Sequence, residues 1–325
     1  MGVGKGDLSR VFSYELDCLP PFSFDLTVNK KTRFGVNWYW ITPYEKYYRG
    51  TMWSGVRLYN NKPVGLKVKA LGTVQNPKIL LEVFSEDRLS NREEKEILEI
   101  IDRCLGLKDD ITSFYTLAER FPYLRQSVED LYGMRICSFP DFFSAVILAV
   151  TLQMASYGRT ERMIKLLYRN YGEKIVFDNV EVIVCPSPTR ITNVSEEELK
   201  GRCNLGYRAA FIKACAEAVV SQKAPTIKEL ADMKAEEAKR VLMSLKGIGE
   251  YSAEIITPHP SFPVDVWSVK IFCQLFKIKV DRSLRAMIPI VKRYAFEKFG
   301  RWQKYVYTYI TNDLEKLPEK FKLNI

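Results

Sequence analysis

The first hundred residues and the rest of the chain are patterned differently. The first part is dense in Tyr, Trp, Phe, Thr and Val and is broken by turn signals, as in Phe22-Ser23-Phe24-Asp25-Leu26-Thr27-Val28 and Tyr59-Asn60-Asn61-Lys62-Pro63. β-branched and aromatic side chains suit a pleated, half-buried surface, so this part reads as an antiparallel sheet. Between 88 and 105 the spacing turns helical, with Ile97, Ile100, Ile101 and Leu105 on one face and charge on the other. From Thr112 onward strand signals thin out, and the apolar spacing predicts helices over 139–153, 159–171, 208–221, 235–245, 252–256, 267–276 and 283–298. Thr226 is placed to cap the segment with Lys228, Glu229 and Leu230, and Ser195-Glu196-Glu197-Glu198 reads as a capping box. Cys185-Pro186-Ser187-Pro188-Thr189 reads as a loop. There is no internal repeat and no low-complexity segment.

Composition narrows the class. With 47% apolar residues in 325, the chain can bury a large core spread over two or three domains. The longest apolar stretches, such as Phe142 to Leu152, fall short of a membrane span, and Met1-Gly2-Val3-Gly4-Lys5-Gly6-Asp7 has no apolar signal core. The expectation is a cytoplasmic protein with no membrane partner, nucleoid-associated if prokaryotic. Cys18, Cys104, Cys137, Cys185, Cys203, Cys215 and Cys273 form no Cys-x-x-Cys pair, which argues against a zinc ribbon, an iron–sulfur cluster or a redox dithiol and for buried, reduced thiols. His259 is the single histidine, so no metal site and no Ser-His-Asp arrangement is expected.

The formal charge of +10 suits a polyanionic partner, because phosphates neutralised by a protein release their counterions. The excess is uneven: from Val266 to Ile325 there are 13 Lys and Arg against 5 Asp and Glu. A solvated basic face would show the same bias.

Two local features carry chemistry. Lys246-Gly247-Ile248-Gly249-Glu250 lies between two predicted helices; its glycines allow positive φ and leave backbone N–H groups open, so the turn and the next helix N-terminus can hold a phosphate oxygen while Ile248 plugs the space between the helices. Alone, such a turn is also an ordinary helix–helix connection. Sixteen residues beyond Gly249, Asp265 stands among apolar neighbours in Phe262-Pro263-Val264-Asp265-Val266-Trp267, ahead of a helix. A carboxylate there is either a helix cap or a chemical group.

Together, Leu245 to Gly249 and Pro263 to Asp265 resemble the Leu-x-Gly-Ile/Val-Gly … Pro-Val-Asp motif of the helix-hairpin-helix DNA glycosylase superfamily, in its 3-methyladenine and 8-oxoguanine branches. Asn204-Leu205-Gly206-Tyr207-Arg208-Ala209 resembles the family's Gly-Tyr-Arg-Ala helix start. Gln303-Lys304-Tyr305-Val306-Tyr307 is similar to its C-terminal pocket helix. The loop from Thr257 to Ser261 is shorter than the family's.

The resemblance implies an α+β fold: an N-terminal antiparallel β-sheet domain with a closing helix (1–105), one helical subdomain (106–140 plus 265–325), and a second helical subdomain carrying the hairpin (141–264), with the active site in the cleft between the helical parts. It implies a monomer acting on double-stranded DNA that contains a damaged base. The base is flipped from the stack, and Asp265 stabilises the oxocarbenium-like sugar or positions water. Lys246, Gly247, Ile248, Gly249, Ser252, Lys270 and Arg208 are the implied DNA contacts, although Lys270 reads equally as a surface residue and Arg208 as a packing one. Tyr251, Trp267, Gln303 and Tyr307 are the implied base pocket. Leu152 or Gln153 is the implied wedge that fills the vacated stack, with core packing as the other reading of Leu152.

Bifunctional members carry a lysine two residues after the last glycine. Tyr251 stands there, which favours a monofunctional, hydrolytic enzyme and supplies an aromatic wall, as in the alkylpurine branch. No cofactor is implied beyond a structural monovalent cation at the hairpin. Trp38-Tyr39-Trp40, Tyr44, Tyr47, Tyr48 and Trp53 could stack on bases but read first as sheet core, and His259 reads as a loop residue.

Overall fold

The computed structural model describes residues 7–31, 37–38 and 44–323, and of the side chains at 30, 31, 37 and 38 nothing is said, so the Trp38 side chain, Tyr39, Trp40 and the first six residues fall outside the described part. In chain order the N-terminal unit consists of β1 (Ser9–Asp17), α1 (Phe24–Val28), a two-residue pair β2 (Lys30–Lys31) and β3 (Asn37–Trp38), then β4 (Lys46–Tyr48), β5 (Thr51–Arg57), β6 (Pro63–Gly72), β7 (Pro77–Ser85) and α2 (Asn91–Leu105). Five strands form one antiparallel sheet in the order β1-β7-β6-β5-β4, with Val68 opposite both Met52 and Leu81. The apolar stripe of α2 covers it, so Ile97, Ile100 and Ile101 share a core with Met52, Leu66, Val68 and Leu81.

Helices follow: α3 (Thr112–Ala118), α4 (Pro122–Asp130), α5 (Phe142–Leu152) and α6 (Tyr157–Tyr171). A hairpin of β8 (Glu173–Phe177) and β9 (Val180–Val184) interrupts them, and α7 (Pro188–Thr192), α8 (Glu196–Cys203), α9 (Arg208–Val220), α10 (Ile227–Asp232), α11 (Ala235–Met243) and α12 (Glu250–Ile256) come next. The chain closes with α13 (Ser268–Leu275), α14 (Leu284–Phe299), a 3₁₀ turn (Gly300–Trp302), α15 (Gln303–Asn312) and α16 (Leu317–Phe321). One helical core runs from Phe142 to Ile256; the other joins Ile111 to Met134 with Phe262 to Leu317, so α12 and Asp265 fall where the chain passes from one core to the other. None of the helices among the described residues is long and apolar enough to cross a membrane.

Three local expectations are corrected. Phe22–Val28 ends in a short helix, because Ser23 caps the Leu26 N–H and Phe24, Thr27 and Val28 bury one helical face. The pair β8–β9 sits inside the stretch read as helical, and it bridges the helical body to the sheet: Phe177, Val182 and Val184 share a cluster with Leu8 and Phe84, while Ile183 joins the core of α6. At Ser195 only half the capping box forms, since Glu198 turns to the Tyr171 hydroxyl at 3.0 Å. At Thr226 the box is complete, with Glu229 as its partner.

Arg135 fastens the sheet unit to the body. Fully buried, it donates to the carbonyls of Gly106 (3.2 Å), Pro21 (2.7 Å), Leu19 (2.8 Å) and Asp109 (3.1 Å). Four carbonyl dipoles replace the water such a cation gives up on burial.

Candidate active site

Between α11 and α12 the chain turns through Ser244 to Gly249. Gly247 has φ +85°, and a Cβ there would lie 2.1 Å from the Phe211 ring, so both backbone and space demand glycine. Gly249 is different: its φ of −90° is open to any residue and a Cβ would meet nothing within 4 Å. The expectation that both glycines supply positive φ therefore holds for Gly247 alone. At Gly249 the fold asks for nothing, and the bare position leaves the N-terminus of α12 open to a ligand's approach. Ile248 is buried between the helices, and Lys246 is exposed with no ion pair among the described residues.

Ser252, Gln153 and Arg208 were expected to face DNA, and their side chains are engaged inside the protein instead. Gln153 Nε2 donates to the Gly247 carbonyl at 2.8 Å and to Ser252 Oγ at 2.9 Å. Ser252 is 1% exposed and also donates to the Ala149 carbonyl at 3.4 Å. Arg208, likewise 1% exposed, donates to the Gln153 carbonyl and lies over the Tyr207 ring at 4.5 Å. The three residues tie the turn after α5 to the hairpin. Leu152 is half-buried on the last turn of α5, and the residue that does project is Met154, with φ +46° and 88% exposure. An apolar side chain held out on a rigid turn is the property sought in a wedge, and it lies one position beyond the expected pair.

Asp265 caps α13 while keeping one oxygen free. Its Oδ1 accepts the Ser268 N–H at 2.7 Å and the Ser268 hydroxyl at 2.6 Å. Its own N–H lies 3.0 Å from Ser268 Oγ. The other carboxylate oxygen makes no hydrogen bond among the described residues. Three tyrosines lie close enough to the carboxylate to feel its charge: Tyr157 from α6, Tyr251 from α12 and Tyr307 from α15. Burial and the nearby Asp265 carboxylate push the Tyr157 phenol up to about 12 and raise that of Tyr251 further. Burial raises Tyr307 well above the usual phenol range, helped by Tyr157, Tyr251 and Asp265. All three are thus neutral donors at physiological pH. Tyr307 packs parallel to Phe272 at 5.5 Å and edge-on to Phe262 at 5.5 Å. Trp267 meets Tyr157 edge-on at 6.2 Å and is 39% exposed.

The remaining expected positions scatter. Lys270 is exposed on α13. Gln303 is buried and donates to the Gly300 carbonyl at 2.9 Å; it lines a cavity of about 610 Å³ with Glu254, Thr257, Lys292 and Phe296, whose lining includes neither Asp265 nor the three tyrosines. His259 bonds the Leu230 carbonyl at 2.9 Å in its loop. Among the sheet aromatics, Trp53 donates to Asp178 at 2.7 Å and Tyr44 to the Lys165 carbonyl at 2.9 Å, both structural contacts; Tyr47 bonds Asp25, and Tyr48 stands exposed. No group of three or more metal-ligating side chains occurs among the described residues. A cation at the hairpin would rest on backbone carbonyls, of which those of Leu245 and Gly247 already accept from Ile248 N–H and Gln153.

A bare helix N-terminus after a glycine hairpin and, sixteen residues beyond it, a capped carboxylate at the junction of two helical cores match the motif that the sequence resembles, and the chain has the fold of solved 3-methyladenine and 8-oxoguanine DNA glycosylases. It is similar to DNA-3-methyladenine glycosylase of Bacillus subtilis, 22% identical over 244 residues covering 72% of this chain and 80% of that one. Among solved structures, 3-methyladenine DNA glycosylase from Archaeoglobus fulgidus superposes with a TM-score of 0.72 at 19% identity, covering 93% of this chain and 99% of its own. The Clostridium acetobutylicum 8-oxoguanine glycosylase/lyase, solved with double-stranded DNA containing cytosine opposite 8-oxoG, gives 0.66 at 16% identity over 96% and 99%. No protein-family model matches the chain.

Proposed function

We propose that this chain is a monomeric, monofunctional DNA glycosylase that flips a damaged purine out of duplex DNA and hydrolyses its N-glycosidic bond. The observation that carries the reading is Asp265: one oxygen is spent on Ser268, the other makes no hydrogen bond among the described residues, and Tyr157, Tyr251 and Tyr307 lie close enough to feel its charge. A carboxylate fixed in this way supports positive charge developing on the sugar or orients the attacking water. Gly247, Gly249 and the start of α12 would hold backbone phosphate, Lys246 and Lys270 would add cationic contacts, and Met154 would fill the vacated stack. Tyr251 stands where a lyase needs its amine, which supports hydrolysis without strand cleavage. Alkylated purines such as 3-methyladenine are the first lesions to test, given Tyr251 and the name of the Bacillus relative. The polar edge of Tyr307 supports 8-oxoguanine as a second reading.

The test is excision from lesion-bearing duplexes by wild type and Asp265→Asn, with borohydride trapping. Asparagine caps a helix as well as aspartate, so the variant keeps its fold while release falls by at least about a hundredfold. Full excision by Asp265→Asn would refute the mechanism, and a trapped covalent adduct would refute the monofunctional assignment.

A further inference from the structure

α12 belongs to one helical core through Ala253 and Ile256, and α14 belongs to the other through Met287, Val291 and Ala295. Packing does not close the space between them: the cavity of about 610 Å³ is bordered by Ala253 and Glu254 on one side and by Lys292 and Phe296 on the other. Lys292 crosses it. Its Nζ lies 2.8 Å from Glu254 Oε1 and 3.5 Å from Glu250 Oε1, two carboxylates one turn apart on the same face of α12. Glu250 also takes Lys239 of α11 at 2.7 Å, so both helices of the hairpin are joined to α14 through this pair of carboxylates. Stability does not explain the arrangement. Glu254 is buried, its Oε2 has no hydrogen-bond partner among the described residues, and burial raises the carboxyl above its usual range although Lys292 opposes the shift. A buried ion pair left partly unsatisfied gains little over apolar side chains of the same volume. What the charges add is direction, because an ammonium between two carboxylates favours one stance of α12 against α14. That stance bears on the chemistry: α12 begins at the hairpin and carries Tyr251, whereas Asp265 caps α13 and Tyr307 packs with the second core.

We propose that Lys292 is a positioning residue: by holding Glu250 and Glu254 it sets the stance of the phosphate-gripping hairpin relative to the carboxylate that acts on the sugar. The inference rests on the glycosylase reading and deepens it. Lys292 touches neither base nor sugar and acts through α12. With a phosphate held at the hairpin and the sugar at Asp265, a shift of α12 by about 1 Å misaligns the sugar against the carboxylate and costs rate rather than binding.

The experiment measures the single-turnover excision rate, the duplex Kd and the denaturant midpoint on duplexes bearing 3-methyladenine and 8-oxoguanine. Wild type is compared with Lys292→Arg and with a double variant, Lys292→Met together with Glu254→Met, in which no buried charge is left unpaired at this place. The double variant is expected to keep its midpoint and to bind duplex within about twofold of wild type, while its excision rate falls at least about tenfold. Lys292→Arg keeps a cation for both carboxylates and retains the rate within about threefold. A double variant that excises at the wild-type rate, or that loses duplex affinity with its rate intact, overturns the inference. A lowered midpoint in the double variant shows that the pair serves stability and overturns it as well, as does a Lys292→Arg variant as slow as the double one. A wild type that releases neither base overturns the glycosylase reading and this inference with it.

Discussion

The two hairpin glycines look equivalent in the sequence and have opposite reasons for being there. Gly247 is required by its positive φ and by the Phe211 ring 2.1 Å from where a Cβ would stand, whereas Gly249 meets no such demand. Gly247→Ala is accordingly expected to lower stability by about 2 kcal/mol or more, since an alanine meets both backbone strain and a clash. Gly249→Ala should leave stability within about 0.5 kcal/mol yet weaken duplex binding, because the added methyl stands in front of the α12 N-terminus. Urea midpoints and duplex Kd values for the two variants check this, and equal destabilisation of both would show that Gly249 is structural. Asp265 and the hairpin spacing were legible in the sequence because both are local. Tyr157 was not, since nothing in its own neighbourhood marks it and it gains meaning only from partners on another element.

At the scale of elements, apolar spacing located the helices well, with ends shifted by a few residues. α5 illustrates why spacing alone does not choose the projecting residue of the turn beyond it. Periodicity continues to Leu152, and the choice among Leu152, Gln153 and Met154 depends on where the helix stops. The cap falls at Gln153, whose amide is drawn to the hairpin, and Met154 is left outside. Met154→Ala removes a side chain that is 88% exposed, so its thermal midpoint should match wild type while lesion binding and excision fall about tenfold or more. If excision is unchanged and Leu152→Ala abolishes it without unfolding, Leu152 is the wedge.

The whole molecule is held together by contacts whose partners are far apart in sequence. The Phe177 ring occupies the space above Gly65, 2.5 Å from where a Cβ there would be, so the β8–β9 hairpin from the helical body seats on the sheet. Phe177→Ala should cost about 3–5 kcal/mol of stability, read from denaturant melts, while excision per folded molecule at low temperature is kept. A loss below about 1 kcal/mol would mean that the hairpin contributes little to the sheet's attachment. Arg135 acts likewise, linking Leu19, Pro21, Gly106 and Asp109 with one guanidinium. By itself the sequence determined the sheet-then-helices order, the glycine hairpin, the carboxylate sixteen residues on and the missing lysine at Tyr251, because pattern and spacing are local properties of a chain. The tertiary structure alone decided which polar residues are free for DNA and which are engaged within the fold. It turned Gln153, Ser252 and Arg208 inward and left Met154 outside, for a hydrogen-bond partner on another element cannot be read from spacing.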